Sequence, residues 1–378
     1  MTRTGRVGVG VIGAGVISGT YLENMTAFAD LDVLFVADLD LARAQAQAEA
    51  YGVPGHGSVD ELLARDDIEI VVNLTIPAVH TQVGEQIIAA GKHVWSEKPI
   101  GLDRAGAKQL LEDAAAKGLR IGQAPDTVLG PGFQSAKRAI QSGIIGEPMF
   151  ASTTFQTVGP DLWHPDPAFL FANGAGPLLD MGPYYFTGLV SLLGSVDRVA
   201  AVGRKKLEER IIRNGPKAGE TFPVEVPTSL QVIAGFEGGA QSASLLSFDS
   251  ALERHGVFEV HGTEGSIIIP DPNMFEGKIQ YVKAQTKLAD GDWGGQEFLE
   301  VEQEGVVTGR GLGLLDMVRA IAEDRPHVAT GELGYHVLDV MLSAQESAAS
   351  GEFLKVASSI SAPVPTVPVD FDPFAATL

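Results

Sequence analysis

The chain has 378 residues, of which 45% are hydrophobic and 20% charged, as is typical of a globular protein long enough for two domains. Its 27 basic and 48 acidic residues give a formal net charge of −21, which opposes binding to nucleic acid and to anionic membranes. The absence of cysteine excludes disulfides and thiolate chemistry, and no apolar stretch approaches the roughly 20 residues of a membrane span. We therefore expect a cytoplasmic protein with neither a nucleic-acid nor a membrane partner.

A glycine-rich turn follows the first predicted strand. β-branched residues dominate 7–12, which predicts a buried parallel strand, and the run GAGVIS follows it directly. Gly13 permits a tight turn, and Gly15 lets the backbone approach a pyrophosphate held by the start of the next helix. Ser18 stands where a third glycine is usual and is small enough for close packing. The residues predicted to bind a dinucleotide here are Gly13, Ala14, Gly15, Val16 and Ile17.

An acidic residue ends the second predicted strand. This strand, 33–37, leads into Asp38, twenty positions after Ser18, where a carboxylate accepts hydrogen bonds from the adenosine ribose. Asp38 would repel the 2′-phosphate of NADP, and the nearest arginine, Arg43, lies a turn into the following helix. The pattern predicts a Rossmann domain that binds NAD, with NADP less favoured. The alternative is a glycine-rich turn with an acidic helix cap.

Strand and helix patterns alternate over 1–125, which predicts a doubly wound parallel sheet. From 126, β-rich runs joined by short turns predict a large, mostly antiparallel sheet, with helices at 181–193, 312–322 and 335–349. The predicted fold is therefore α/β. Its domains are an N-terminal Rossmann domain over 1–125, a C-terminal α/β domain with an open sheet over 126–360, and a proline-rich extended arm over 361–378.

Loops after the later strands of the parallel sheet are expected near the cofactor, because open α/β sheets bind ligands at the carboxyl ends of their strands. The sequence TIPAVH follows the strand predicted at 68–74 and places Thr75, Pro77 and His80 there. On its own, His80 is more typical of a helix start or a packing residue. The sequence SEKP follows the next strand, and Gln123 ends the last one.

The ordered motifs of the chain resemble those of the Gfo/Idh/MocA family, the glucose-fructose oxidoreductase and inositol dehydrogenase group. The resemblance covers nearly the whole length and is carried by GAGVIS, Asp38, TIPAVH, GKHVWSEKP, SGIIGEP, GAGPLLDMGPYYFTGLVSLLG and HGTEGSI. It implies a Rossmann domain that binds NAD or NADP and a second domain whose open sheet often forms the subunit interface, giving a homodimer or homotetramer. It also implies that Lys98 is catalytic and that Glu97, Lys98 and Gln123 lie at the cofactor.

Hydride transfer from a carbinol carbon needs a base, a positive group near the developing alkoxide, and a held substrate. In DMGPY, Asp180 as an N-cap would place Pro183 in the first helical turn and bring Asp180 and Tyr184 onto one face. Many relatives have histidine at the position of Tyr184, whereas glucose-fructose oxidoreductase and the dihydrodiol dehydrogenases resemble this chain in having tyrosine. The resemblance therefore implies that Lys98, Asp180 and Tyr184 are catalytic, with Tyr184 as acid/base; the alternative for Tyr184 is packing.

Two departures from the family pattern predict a distinct substrate pocket. After Gln123 the family usually has an Arg-Phe-Pro-like block, whereas this chain has APDT, which includes Asp126. The sequence WHPD appears in what resembles the substrate-facing loop. We predict substrate contacts from Asp126, Trp163 and His164, although His164 is equally consistent with a simple loop residue. The eight histidines are scattered, and we predict no metal site.

The sequence favours an NAD-dependent oxidoreductase that moves hydride between nicotinamide and a hydroxyl or ketone carbon of a sugar, glycoside or cyclic polyol. One alternative is a redox-neutral glycosidase of the same fold, which would not release NADH during turnover. The other is a dinucleotide-sensing regulator without turnover, against which the retention of Lys98, Asp180 and Tyr184 argues.

Overall fold

The computed structural model describes residues 5–284 and 297–378, and their contacts divide the chain into two units. Unit 1 comprises 1–130, 305–338 and 364–378, and unit 2 comprises 131–304 and 339–363. Both units are discontinuous, whereas the sequence pattern predicts domains that are each one continuous segment. The chain returns to unit 1 after residue 304, since 305–338 and 364–378 have most of their contacts within that unit.

Unit 1 contains a parallel sheet with the described strand order β3-β2-β1-β4-β5-β6. Its strands are β1 (Val7–Ile12), β2 (Leu31–Ala37), β3 (His56–Gly57), β4 (Ile70–Asn73), β5 (His93–Ser96) and β6 (Ile121–Gln123). The central strand β1 is buried along its whole length, as its β-branched sequence predicts. Because β1 pairs with both β2 and β4, the strand order reverses beside it, which creates a crevice at the carboxyl ends of the strands. This sheet confirms the predicted doubly wound domain.

Local capping signals set the helices that cover this sheet. They are α1 (Val16–Met25), α2 (Leu41–Tyr51), α3 (Val59–Leu63), α4 (His80–Ala89) and α5 (Arg104–Ala116). Ser58 and Glu61 form a reciprocal capping box at α3, with the Ser58 N–H donating to Glu61 Oε2 at 2.7 Å. Asp103 caps α5 by accepting the Gly106 N–H.

Unit 2 is built on a mixed sheet whose described strands run in the order β16-β15-β14-β13-β7-β12-β11-β8-β17, with β9 and β10 forming a separate hairpin. The strands are β7 (Pro148–Gln156), β8 (Val196–Arg204), β9 (Glu209–Ile211), β10 (Thr221–Pro223), β11 (Ser229–Phe236), β12 (Gln241–Ser247), β13 (Arg254–Gly262), β14 (Gly265–Ile268), β15 (Ile279–Lys283), β16 (Leu299–Val301) and β17 (Leu354–Lys355). All pairings are antiparallel except that of β12 with β7, which confirms the prediction of a mostly antiparallel sheet.

The later helices belong to both units. They are α6 (Pro131–Gln141), α7 (Gly176–Asp180), α8 (Gly182–Leu193), α9 (Leu312–Ala322) and α10 (Gly331–Ser350). Helix α9 lies in unit 1, and the unit boundary falls within α10. Within residues 5–284 and 297–378, no helix is both long and apolar enough to cross a lipid bilayer.

A buried ion pair holds the last residues of the chain on unit 1. The Arg319 guanidinium donates to Asp30 Oδ2 at 2.7 Å and to the carbonyls of Asp372 and Ala375. Asp30 also accepts the N–H and hydroxyl of Thr377, each at 2.9 Å. Burial alone would raise the pKa of Asp30, but these hydrogen bonds outweigh it and lower the pKa. The tail thus shares a hydrogen-bond network with the loop before β2.

Candidate functional site

The glycine turn of unit 1 leaves the start of α1 open to an anion. Gly13 has φ 103°, and a Cβ there would lie 2.7 Å from the carbonyl of Leu74, so only glycine fits. A Cβ on Gly15 would instead project into open space. Gly15 caps α1 through its backbone alone, and the next residue, Val16, is 96% exposed. The N–H groups at the positive end of this helix therefore suit a pyrophosphate.

Ser18 replaces the third glycine of the usual pattern without opening the structure. The residue is buried, and its hydroxyl donates to the carbonyl of Gly15 at 2.6 Å. The same hydroxyl accepts a hydrogen bond from Gln47 Nε2 at 3.1 Å, which links α1 to α2. A small polar side chain thus fits where the family pattern has glycine.

Asp38 is held in place by two backbone donors, one from the glycine turn and one from the residue directly before α2. Its Oδ2 accepts the N–H of Ala14 at 2.7 Å, and its Oδ1 accepts the N–H of Asp40 at 2.8 Å. Each carboxylate oxygen has further lone pairs, so hydroxyl donors can still bind. The Arg43 guanidinium pairs with Asp40 at 3.4 Å, with both side chains about half exposed.

A cleft of about 740 Å³ lies beside this turn at the carboxyl ends of the strands. Four of the residues predicted to bind cofactor line it: Gly13, Gly15, Asp38 and Thr75. The cleft is also lined by residues that the sequence motifs did not indicate, which include Leu39, Leu41, Ile76, Val79, Gln82, Val83 and Gln86. Leu39, Leu41 and Ile76 are exposed apolar side chains, which suit the face of a purine ring. The volume, the open helix start and the fixed carboxylate all fit an adenine dinucleotide.

His80 joins two loops and does not line the cleft. Its buried ring places Nδ1 at 2.6 Å from the carbonyl of Pro99 and Nε2 at 2.9 Å from the carbonyl of Thr75. Burial lowers the pKa of His80, although the two carbonyls favour the protonated ring. Asn73, which sequence reasoning missed, donates to the His80 carbonyl at 3.0 Å and accepts the Thr75 hydroxyl at 2.7 Å. These contacts give His80 a positioning role in the loop.

Glu97 and Gln123 support the loop that carries Lys98. Glu97 is buried; its Oε1 accepts the Tyr21 hydroxyl at 2.9 Å, and its Oε2 accepts the Lys98 N–H at 2.9 Å. Gln123 Nε2 donates to the Glu97 carbonyl at 2.8 Å. Lys98 itself is half-buried at the carboxyl end of β5. Both side chains that were predicted to touch the cofactor therefore hold this loop.

The carboxylate of Asp126 accepts hydrogen bonds from backbone N–H groups at the start of α9. It is 0% exposed, and its Oδ2 accepts the N–H groups of Gly311 and Gly313 at 2.8 and 3.2 Å. Burial raises the pKa of Asp126, and the Arg310 guanidinium, 4.0 Å from Oδ1, opposes that rise. Complete burial gives no support to the substrate contact predicted for this residue.

In unit 2, the prediction that Asp180 caps the helix of Tyr184 is wrong. Asp180 is the last residue of α7, and Met181 is the N-cap of α8. Pro177 lies in the first turn of α7, so the chain is already helical before it reaches Asp180. Pro183 does lie in the first turn of α8, as predicted. Tyr184 follows it and is buried.

The neighbouring Tyr185 is committed to the core of unit 2. Its hydroxyl donates to the carbonyl of Thr154 at 3.3 Å and accepts the N–H of Gly256 at 3.0 Å. Burial raises the pKa of Tyr185. Of these two adjacent tyrosines, Tyr185 is therefore a structural residue.

The predicted substrate residues Trp163 and His164 lie on a loop of unit 2. Trp163 is 62% exposed, and His164 is half-buried with its ring centroid 5.5 Å from that of Trp163. His164 Nδ1 accepts the N–H of Asp166 at 3.0 Å. A neutral His164 therefore carries its proton on Nε2 and presents a hydrogen-bond donor there.

Comparison with known proteins assigns the chain to a family. Residues 7–124 match an oxidoreductase family with an NAD-binding Rossmann fold, and 133–268 match the GFO/IDH/MocA C-terminal domain. The oxidoreductase ORF334 of Rhizobium meliloti is 30% identical over 267 residues, which cover 70% of this chain and 74% of that protein. The chain belongs to the Gfo/Idh/MocA family, which confirms the resemblance seen in the sequence.

Two further relatives extend this comparison. The trans-1,2-dihydrobenzene-1,2-diol dehydrogenase of Oryctolagus cuniculus is 27% identical over 267 residues, covering 69% of this chain and 75% of that protein. A structure of levoglucosan dehydrogenase in complex with NADH and L-sorbose has a TM-score of 0.80 at 22% identity, covering 94% of this chain and 100% of that one. The α/β fold is thus confirmed, and the protein is an NAD(P)-dependent oxidoreductase.

Proposed function

We propose that this protein is an NAD-dependent dehydrogenase that oxidises a secondary hydroxyl of a sugar, glycoside or cyclic polyol, or reduces the corresponding ketone. The observation that carries this proposal is the fixed carboxylate of Asp38 beside the open start of α1, in a family of oxidoreductases. Relatives named as dihydrodiol dehydrogenases support a ring-bearing diol as one substrate class.

The choice of NAD over NADP is supported by the charges around Asp38. Its two carboxylate oxygens already accept backbone N–H groups, which hold the negative charge where the adenosine ribose is expected. The nearby Arg43 pairs with Asp40, so much of its positive charge is offset. A ribose with free hydroxyls would bind there as a donor, and a 2′-phosphate would be repelled.

When bound, NAD would accept the hydride from the carbinol carbon. We propose that Tyr184 takes the hydroxyl proton, that Lys98 stabilises negative charge on the reacting oxygen, and that Asp180 orients the substrate. An unperturbed phenol titrates near ~10, and a cation close to a phenol favours its ionised form, which makes it a better base at neutral pH. The choice of Tyr184 rests on the resemblance of its DMGPY motif to that of the dihydrodiol dehydrogenases, whereas the hydroxyl of Tyr185 hydrogen-bonds to backbone groups of the fold.

The outer face of the unit 2 sheet supports a subunit interface. Phe150, Val202 and Ile233 are exposed on neighbouring strands. They share one face of the sheet, because Val202 lies opposite Gln231, two residues from Ile233, and Phe150 lies opposite Gln241, two residues from the partner of Ile233 on β12. We propose that this face packs against the same face of a second copy in a homodimer or homotetramer, since monomers rarely expose an apolar sheet face.

The proposed activity is tested by supplying NAD or NADP with trans-1,2-dihydrobenzene-1,2-diol, levoglucosan, glucose or myo-inositol and following NADH absorbance. We expect NAD-dependent formation of NADH with at least one of these cyclic compounds. Cleavage of a glycoside without release of NADH would favour the redox-neutral glycosidase. Binding of NADH without turnover of any compound would favour the regulator.

A further inference from the structure

The loop over 157–175, between β7 and α7, is held against the rest of unit 2 in large part by one side chain of the β9–β10 hairpin. Arg210, in β9, is 7% exposed. Its Nη1 donates to the carbonyl of Val158 at 2.9 Å and to Asp161 Oδ1 at 2.6 Å. Its Nη2 donates to the carbonyl of Phe248 at 2.6 Å and to the carboxylate of Asp249. A single guanidinium therefore connects the start of the loop to the residues that directly follow β12.

The same guanidinium also contacts the far end of the loop. Its central carbon lies 4.9 Å from the ring centroid of Phe171, a cation–π distance. Phe171 belongs to a small apolar core that the hairpin shares with the loop and the end of β12: Phe171, Ile212, Phe222, Val224 and Phe248. Arg210 thus fixes both ends of the loop at once.

The segment that follows β9 holds the middle of the loop. The Arg213 N–H donates to the carbonyl of Asp161 at 3.0 Å, and Asn214 Nδ2 donates to the carbonyl of Trp163 at 2.8 Å. Lys217 pairs with Asp166 at 2.6 Å, with both side chains about half exposed. The two hydrogen bonds add local order around Trp163 and His164, whereas the exposed Lys217–Asp166 pair contributes little.

What the loop presents is a cluster of three aromatic rings, Trp163, His164 and Phe169, which we name the aromatic cluster. The ring centroid of His164 lies 5.5 Å from that of Trp163 and 5.3 Å from that of Phe169, both in edge-to-face geometry. Trp163 and Phe169 are exposed. Exposed rings held in a fixed arrangement offer apolar area for the carbon face of a cyclic compound, with little entropy lost on binding.

We propose that Arg210 is a positioning residue for substrate recognition: it fixes the aromatic cluster, and the cluster packs against the ring of a cyclic substrate. This inference rests on the proposed function. Arginine is needed because one planar guanidinium donates to two carbonyls and two carboxylates and also lies over the Phe171 ring. A lysine ammonium has fewer donors and no fixed plane.

The kinetic test compares Arg210→Ala and Arg210→Lys with the matched control Lys217→Met, which removes an exposed ion pair of the same loop. We expect Arg210→Ala to raise KM for the best cyclic substrate by roughly tenfold or more, with a smaller change in kcat and an unchanged affinity for NADH. Arg210→Lys should remain impaired, and Lys217→Met should stay close to the parent protein. Millimolar guanidinium, but not equal NaCl, should lower KM of Arg210→Ala alone.

A spectroscopic test reports on the loop without any substrate. The chain has three tryptophans, and fluorine NMR of fluorotryptophan-labelled protein identifies Trp163 through the Trp163→Phe variant. We expect the Trp163 resonance to move in Arg210→Ala and to return with guanidinium. If Arg210→Ala does not fold, Asp249→Asn should move the same resonance, because it removes one anionic partner of Arg210.

The two tests separate this inference from the proposed function. An unchanged Trp163 resonance in a folded Arg210→Ala protein would overturn the positioning role, whether or not the enzyme turns over any compound. A moved resonance with an unchanged KM would overturn contact between the cluster and the substrate. Failure of the parent protein to oxidise any cyclic compound would reject the proposed function instead, and the cluster's substrate role with it.

Discussion

The phenol of Tyr21 donates a hydrogen bond to Glu97 Oε1 at 2.9 Å, although the two residues lie 76 positions apart in the chain. Trp95 Nε1 donates to the Tyr21 oxygen at 3.5 Å, and all three side chains are buried. Burial, followed by the charge of Glu97, raises the pKa of Tyr21, so this phenol stays a neutral donor. Since Glu97 Oε2 accepts the N–H of Lys98, helix α1 helps to fix the loop that carries the proposed catalytic lysine.

Replacing Tyr21 with phenylalanine should weaken both stability and turnover. The change leaves a buried carboxylate oxygen without its donor, which costs about 1–3 kcal/mol in the free energy of unfolding. Without this hydrogen bond the Glu97 side chain should be less firmly positioned, and kcat should fall because the Lys98 N–H loses a fixed acceptor. Urea unfolding and initial rates measure the two effects, with Tyr51→Phe as the control in the same unit. Unchanged values in both measurements would contradict this role for Tyr21.

The cofactor preference should depend on Asp38. Titration with NADH and NADPH should show tighter binding of NADH, and Asp38→Ser should reduce that preference by about tenfold or more, which corresponds to about 1.4 kcal/mol. Asp60→Ser removes another acid that lines the cleft and controls for the loss of negative charge. Equal binding of the two cofactors by the parent protein would refute the proposed choice of NAD.

Replacing Tyr184 or Lys98 should lower turnover far more than it changes cofactor binding. Tyr184→Phe removes the proposed proton acceptor and keeps the ring, so hydride transfer should fall by roughly a hundredfold or more while NADH affinity changes little. Lys98→Met should be at least as damaging, because it removes the positive charge at the reacting oxygen. Tyr185→Phe is the control and should affect stability more than rate. Near-normal turnover and an unaltered pH profile in Tyr184→Phe would place the base elsewhere.

Features set by neighbouring residues could be predicted from the sequence. The bounds of α9 agree with the predicted 312–322, because its apolar periodicity is a local signal. The capping box at α3 is local in the same way, since Ser58 and Glu61 lie three positions apart. The cap at Asp180 failed because a second start signal, Pro177, lies only three positions upstream and begins its own short helix.

Contacts between distant segments could not be predicted in this way. Asp126 is predicted at the substrate because it lies in a motif that departs from the family pattern, and the sequence did not indicate its hydrogen bonds to the N–H groups of Gly311 and Gly313, far along the chain. His80 is predicted at the cofactor, and the sequence did not indicate that its ring joins two loops through their carbonyls. In each case the polar partner is backbone, which leaves no signature in the side-chain sequence.

The proposed subunit interface should be sensitive to charge on the outer sheet face. Ile233 is exposed in the middle of β11, so Ile233→Lys would bury an unpaired ammonium if this face packs against a second copy. We expect light scattering to give a dimer or tetramer for the parent protein at micromolar concentration and a smaller species for Ile233→Lys. Leu252→Lys, at an exposed leucine outside this sheet face, is the control. A monomeric parent protein would end the proposal.

The buried side chain of His327 should make the stability of unit 1 sensitive to acid. This side chain is 4% exposed in unit 1, and its Nε2 donates to the carbonyl of Ile121 at 3.2 Å. Burial, followed by the positive charge of Arg120, lowers the pKa of His327 to about 4. In the unfolded chain a histidine titrates near ~6.5, so the unfolded state takes up the proton first as the pH falls.

The free energy of unfolding should therefore decline as the pH falls from about 6.5 towards about 4, by up to roughly 3 kcal/mol from this residue. His327→Gln retains a donor for the Ile121 carbonyl but cannot ionise, so it should flatten this decline while costing some stability at neutral pH. Urea unfolding between about pH 7 and pH 5 measures the slope, with the exposed His56→Gln as the matched control. Equal slopes for His327→Gln and the parent protein would show that His327 is not the group whose protonation destabilises unit 1.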